Sequence, residues 1–189
     1  MDKLHLIVPC HFGVESVLKR EIIDLGYEIE RVEDGRITFS GNLLAICRAN
    51  VFLRTAERVM IQVGRVKAQT YDELFEAVKA LKWSDFIPEN GKFWVTKATS
   101  VKSKLFSTSD IQSIVKKAMS VKSKLFSPSD IQRIVKKAIV ENLKQEYGVS
   151  WFSEDGASYP IRVFFYKDEA VIALDTSGES LHKRGYRYY

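Results

Sequence analysis

Residues 100–139 read Ser100-Val-Lys-Ser-Lys-Leu-Phe-Ser-Thr-Ser-Asp-Ile-Gln-Ser-Ile-Val-Lys-Lys-Ala-Met119, then at once Ser120-Val-Lys-Ser-Lys-Leu-Phe-Ser-Pro-Ser-Asp-Ile-Gln-Arg-Ile-Val-Lys-Lys-Ala-Ile139. Only three of the twenty positions differ, Thr108 against Pro128, Ser113 against Arg133 and Met119 against Ile139. Solenoid repeats share a sparse apolar pattern and need at least three units to bury a continuous core, so two near-identical polar, basic copies exclude that architecture. They mark instead a tandem duplication inside an ordinary domain.

The second copy carries the signals of a helix start. Ser127 suits an N-cap, Pro128 sits where a missing N–H costs nothing, Asp130 is a weaker form of the capping-box acid, and Phe126 and Ile131 are spaced as a hydrophobic staple. Ile131, Ile134, Val135, Ala138, Ile139 and Leu143 form an apolar stripe at helical spacing that Gly148 closes, which predicts a helix over Pro128–Tyr147. Its other face carries Arg133, Lys136, Lys137 and Lys144. The stretch 100–139 holds nine Lys and Arg against Asp110 and Asp130, while the whole chain is only +5, so the rest of the chain is slightly acidic. Positive charge gathered in one element is the footprint of a phosphate-backbone partner.

An apolar fraction of 46% with 12% aromatic residues is enough to build true cores in 189 residues. No apolar run is long enough to span a bilayer, and Met-Asp-Lys-Leu-His lacks the order of a signal peptide. Cys10 and Cys47 lie far apart without a Cys-x-x-Cys, which suits a reducing cytoplasm. Cys10 beside His11, with three histidines in the chain and no second cluster, reads as a buried structural cysteine, and no metal site is expected.

Leu4–Val8 is strand-like, and Val14, Val17, Leu18, Ile22 and Leu25 recur at helical spacing up to Gly26. Two strand-like runs, 27–33 and 36–40, meet at the hairpin signal Asp34-Gly35. Leu43, Ile46, Cys47 and Val51 mark a second helix, and Val59, Ile61 and Val63 a further strand. This βαββαβ order over residues 1–66 is the ferredoxin-like arrangement. A second α/β unit starts at Lys67 with a helix through Leu74, Phe75, Val78 and Leu81. Phe93–Ala98 is a strand, and Pro160–Tyr166 and Glu169–Asp175 are a hairpin around Lys167-Asp168. Trp83, Phe93, Trp94, Phe164 and Phe165 fall on strands or strand edges and are expected in the core rather than as base-stacking platforms.

Catalytic motifs are missing. The ten glycines are scattered singly, with no G-x-G, and there is no P-loop, G-x-S-x-G or H-E-x-x-H. Asn-Pro does not occur, so the Asn-Pro-Pro-aromatic loop of amino-group methyltransferases is absent. No catalytic residue, and neither methyl transfer nor S-adenosylmethionine binding, is expected of this chain.

Five stretches together carry a resemblance: Pro9-Cys10-His11-Phe12-Gly13-Val14-Glu15, Gly35-Arg-Ile-Thr-Phe39, Asn50-Val-Phe-Leu-Arg-Thr-Ala-Glu-Arg-Val59, Ser127-Pro-Ser-Asp-Ile-Gln-Arg-Ile-Val-Lys-Lys-Ala138 and Leu181-His-Lys-Arg-Gly-Tyr-Arg187. They resemble the N-terminal half of the THUMP-containing ribosomal RNA guanine-N2 methyltransferases, a family often labelled N6-adenine-specific DNA methylases. The resemblance implies an α+β chain with a ferredoxin-like domain over 1–66 and a THUMP RNA-binding domain over 67–181, the duplicated 100–139 included. Residues 182–189 would begin a linker to a methyltransferase domain absent from this chain, and S-adenosylmethionine would be the full-length family's cofactor. Where the family has the Val-Lys-Ser-Lys-Leu-Phe-Ser block once, this chain has it twice.

The implied function is an RNA-binding module, not itself an enzyme, that positions structured RNA, large-subunit ribosomal RNA above all, for methylation in the cytoplasm. The expected RNA contacts are Lys97, Lys102, Lys104, Lys122, Lys124, Arg133, Lys136, Lys137, His182, Lys183, Arg184 and Arg187. Two other readings are a protein-interaction scaffold whose basic helix packs on a partner, and the DNA-binding part of an adenine-specific DNA methylase. For the duplication, the second copy is expected in the native slot, with the extra piece 107–126 as a surface helix outside a core already filled by its twin.

Overall fold

A computed structural model describes residues 3–101, 128–166 and 168–183 of the protein. The chain forms two compact units, Met1–Gln62 with Ala173–Tyr189, and Val63–Ile172. Among the described residues no helix is long and apolar enough to cross a membrane.

In the first unit β1 (Leu4–Pro9), α1 (Glu15–Asp24), β2 (Ile29–Glu33), β3 (Arg36–Gly41), α2 (Leu43–Phe52) and the first residues of β4 (Met60–Lys67) follow the βαββαβ order. The strands lie in the order β2-β3-β1-β4. Pairing is antiparallel, with Leu6 opposite Phe39 on one side and Ile61 on the other. Gly26 ends α1 at φ +86° and Gly35 turns the β2–β3 hairpin at φ +73°, a backbone region that β-carbon sterics close to most residues. Asn42 caps α2, its side chain accepting from Ala45 N at 3.0 Å, which satisfies one of the orphan donors of the first turn. The helices bury Leu18, Ile22, Ala45 and Ala49 against Leu6, Val8, Ile37, Phe39, Leu53 and Val59. Leu181, in a 3₁₀ turn over Leu181–Lys183, joins the same core.

The second unit contains α3 (Tyr71–Lys79), a 3₁₀ turn (Trp83–Asp85), β5 (Lys92–Val101), α4 (Pro128–Tyr147), β6 (Ser158–Tyr166) and β7 (Glu169–Asp175). Its strand order is β7-β6-β5. β5 and β6 run parallel, Lys92 opposite Ser158 and Val101 opposite Tyr166, with a register shift between Val95 and Lys97. Parallel neighbours need a long crossover, and α4 lies on it. The apolar stripe read from the sequence is buried except at its edge: Ile131, Val135, Ala138, Ile139 and Leu143 have no exposed surface, and Ile134 is half-buried. They share the interior with Leu74, Val78, Trp83, Ile87, Ile161 and Val163, all likewise buried.

Polar contacts fix the far end of α4. Asn142 Nδ2 donates to Lys79 O at 2.9 Å, and the Tyr147 hydroxyl donates to Ile87 O at 2.7 Å. Gly148, at φ +66°, closes the helix, its N–H reaching Lys144 O at 3.0 Å. Residues 102–127 lie outside the described residues, and with them the helix expected over 107–126.

Candidate nucleic-acid interface

Because the buried stripe of α4 faces the interior, the residues between its repeats are turned to solvent. Arg133, Lys136, Lys137 and Lys144 are exposed there. With Trp94 and Val95 of β5 and with Ser129, Gln132, Val140 and Glu141 they line a groove of about 700 Å³. Four cations in that lining stand against one carboxylate, and Glu141 is itself paired with Lys79 at 3.3 Å. Asp130 accepts from Arg133 at 2.6 Å, one turn away along the helix. The Lys137 ammonium stands 5.5 Å over the Phe75 ring, whose quadrupole holds it without neutralising its charge.

The groove has an apolar wall as well. Trp94 is 37% exposed, between buried Phe93 and half-buried Val95. This corrects the expectation that all five strand aromatics lie in the core. Trp83, Phe93 and Phe165 do, and Phe164 is half-buried, but side chains on a strand alternate between its two faces, so burying Phe93 turns its neighbour outward.

Of the expected RNA contacts, the structure brings Arg133, Lys136 and Lys137 into one groove and adds Lys144 and Trp94. Lys97 belongs to β5. His182 and Lys183 are exposed on the 3₁₀ turn of the first unit, where Lys183 lines another depression, of about 570 Å³, with Cys47, Asn50 and Ser177. Lys102, Lys104, Lys122, Lys124, Arg184 and Arg187 lie outside the described residues.

Hydrogen bonding in the first unit explains other conspicuous sequence blocks. Arg58 donates to Asp175 Oδ2 and Gly178 O, both at 2.7 Å, and to Ser180 Oγ at 2.8 Å. Asn50 Nδ2 donates to Thr176 Oγ1 at 3.1 Å, and Ser177 Oγ donates to Asn50 Oδ1 at 2.7 Å. The block 50–59 therefore holds the segment after β7. Glu15 likewise accepts from Gly13 N and Gly35 N, both at 2.8 Å. Cys10 is buried, and burial foremost, with the charges of Glu15 and Glu57 adding, pushes its thiol up to about 11, so it is unreactive near neutrality. Among the described residues no group of three or more His, Cys, Asp or Glu could hold a metal ion.

Fold and groove together define an α+β protein with a ferredoxin-like unit and an α/β unit whose crossover helix presents a cationic groove. Residues 5–60 match the RlmL ferredoxin-like domain, and 68–124 and 119–175 match the THUMP domain. The chain belongs to the THUMP family, in the form that carries an RlmL-type ferredoxin-like domain. It is 48% identical over 99% of its length to the Bacillus subtilis protein named "Putative RNA methyltransferase YpsC", covering 43% of that relative. It is 30% identical over 98% of its length to "Ribosomal RNA large subunit methyltransferase K/L" of Pseudomonas aeruginosa, covering 23% of it. The solved structure "SMU.472, a putative methyltransferase complexed with SAH" superposes on all of this chain with a TM-score of 0.83 at 36% identity, over 45% of its own length. The chain thus spans less than half the length of the relatives it matches.

These matches correct the expectation that the chain is no enzyme. Nearly all of this chain aligns with under half the length of proteins named as methyltransferases, one of them solved with SAH. That expectation rested on the missing glycine-rich turn and Asn-Pro loop, and a missing local motif does not decide whether a chain belongs to an enzyme family.

Proposed function

We propose that the protein binds structured RNA through the groove on α4 and holds it for S-adenosylmethionine-dependent methyl transfer, with large-subunit ribosomal RNA as the partner. The observation that carries this is the gathering of Arg133, Lys136, Lys137 and Lys144 around one groove. Phosphates draw clustered cations, and release of condensed counter-ions drives the association. The THUMP match supports RNA as the ligand, and the names of the relatives support methylation of ribosomal RNA. In this reading residues 1–66 are the ferredoxin-like domain and 67–181 the RNA-binding domain, with the segment after β7, Leu181 included, packed into the first unit. His182 and Lys183 add contacts from the start of the linker. Cys10 and Cys47, both free thiols, suit the reducing cytoplasm where such an enzyme would work.

The test is a binding titration of the protein with fragments of large-subunit ribosomal RNA at several salt concentrations, beside duplex DNA of equal charge. Dissociation constants of about 10⁻⁴ to 10⁻⁶ M are expected at physiological salt, rising steeply with ionic strength. The double variant K136E/K137E is expected to weaken binding and to lower the salt slope by about 1 for each lost contact. Its thermal melt should stay near that of the parent, since both side chains are exposed. Unchanged affinity would remove α4 from the contact surface. Tighter binding to duplex DNA than to RNA would favour the DNA-methylase reading.

A further inference from the structure

We propose that Trp94 is a stacking platform for one unpaired nucleobase, so that the groove on α4 takes a single-stranded or splayed-out nucleotide rather than continuous duplex. The inference rests on the RNA-binding reading of that groove. Contact with a duplex needs only cations spaced along phosphates, and A-form RNA hides its base edges in a deep, narrow major groove. An indole then has nothing to do. Here an indole more than a third exposed shares its groove with Arg133, Lys136 and Lys144. Every base has a π-face, so an aromatic platform flanked by cations is the arrangement that holds an unstacked nucleotide by its ring and its phosphates together. Gln132, in the same lining, carries the amide donor and acceptor that suit a base edge.

The experiment uses the whole chain in a Trp151→Phe background. Trp151 is 83% exposed and Trp83 fully buried, so Trp94 becomes the accessible emitter. The probes are an unpaired octaribonucleotide and a blunt RNA duplex matched in phosphate count. We expect the single strand to quench tryptophan emission and to bind more tightly than the duplex. Trp94→Leu, which keeps apolar surface on the strand but has no π-face, should weaken single-strand binding by about 5- to 150-fold. It should leave duplex binding and the salt slope alone, and Trp94→Phe should restore most of the affinity. Full single-strand affinity in Trp94→Leu, with K136E/K137E still impaired, would overturn the stacking platform and leave the groove as a phosphate site. If K136E/K137E also binds like the parent, the RNA reading of the groove falls with it.

Discussion

The Glu15 carboxylate spends both its oxygens on backbone donors, Oε2 on Gly13 N and Oε1 on Gly35 N. The Gly35 bond above all holds its pKa below the ordinary 4.5. A group that binds its proton less readily folded than unfolded stabilises the fold fully above the unfolded carboxylate range, and that contribution is lost as the pH falls through the folded value. Glu15→Gln offers one acceptor where two are needed and turns an amide N–H₂ toward the other donor. The variant should therefore melt below the parent at pH 7, and the gap should narrow as the pH drops below about 4, read from thermal melts across that range. The block from Pro9 to Glu15 was legible in the sequence as a family signature. Its physical role was not, because Gly35 lies twenty residues further along and only the folded hairpin brings its N–H to the carboxylate.

Elements whose signals are local were read well, and α4 is the clearest case. Its bounds, Pro128–Tyr147, follow from a proline at the first turn, a buried stripe at helical spacing and a closing glycine. Trp94 was misread because composition marks a strand without saying which of its two faces meets the core. A third kind of element, the segment after β7, has no local signal at all, being held from a distance by Arg58. The Arg58 and Asp175 side chains are only 15% and 3% exposed, so Arg58→Ala takes the cation away from a nearly buried carboxylate that keeps the Ser177 N–H. Removing one member of such a pair typically costs about 3 to 5 kcal/mol. Chemical denaturation should show a loss of that order. Arg58→Lys should lose less, since it keeps the charge but not the planar fork that reaches Asp175, Gly178 and Ser180 together. A fully stable Arg58→Ala would show that the segment is held by Asn50 and Leu181 instead.

At the scale of the whole molecule the duplication sets the question of what the chain needs in order to fold. The THUMP family matches residues 68–124 and 119–175, two stretches that overlap at the junction of the two copies. Among its described residues the second unit nevertheless has one set of strands, the end of β4 with β7, β6 and β5, and a single α3–α4 layer. One THUMP domain interrupted by a repeated segment accounts for both facts. Deleting Ser100–Met119 joins Thr99 directly to Ser120-Val121, the same residue types that now end β5 as Ser100-Val101. The shortened chain therefore keeps the sequence that pairs with Phe165 and Tyr166, and it keeps Pro128 and the whole buried stripe of α4. It also closes a shorter connection, and loop-closure entropy falls only slowly with length, by about 0.6 kcal/mol per halving. The deletion should leave the fold intact and raise the melting temperature slightly or not at all. It removes Lys102, Lys104, Lys116 and Lys117 but none of the cations lining the groove, so octaribonucleotide binding should fall only through the weaker long-range field. A deletion that unfolds the protein would show that the first copy, not the second, occupies the native place in the domain.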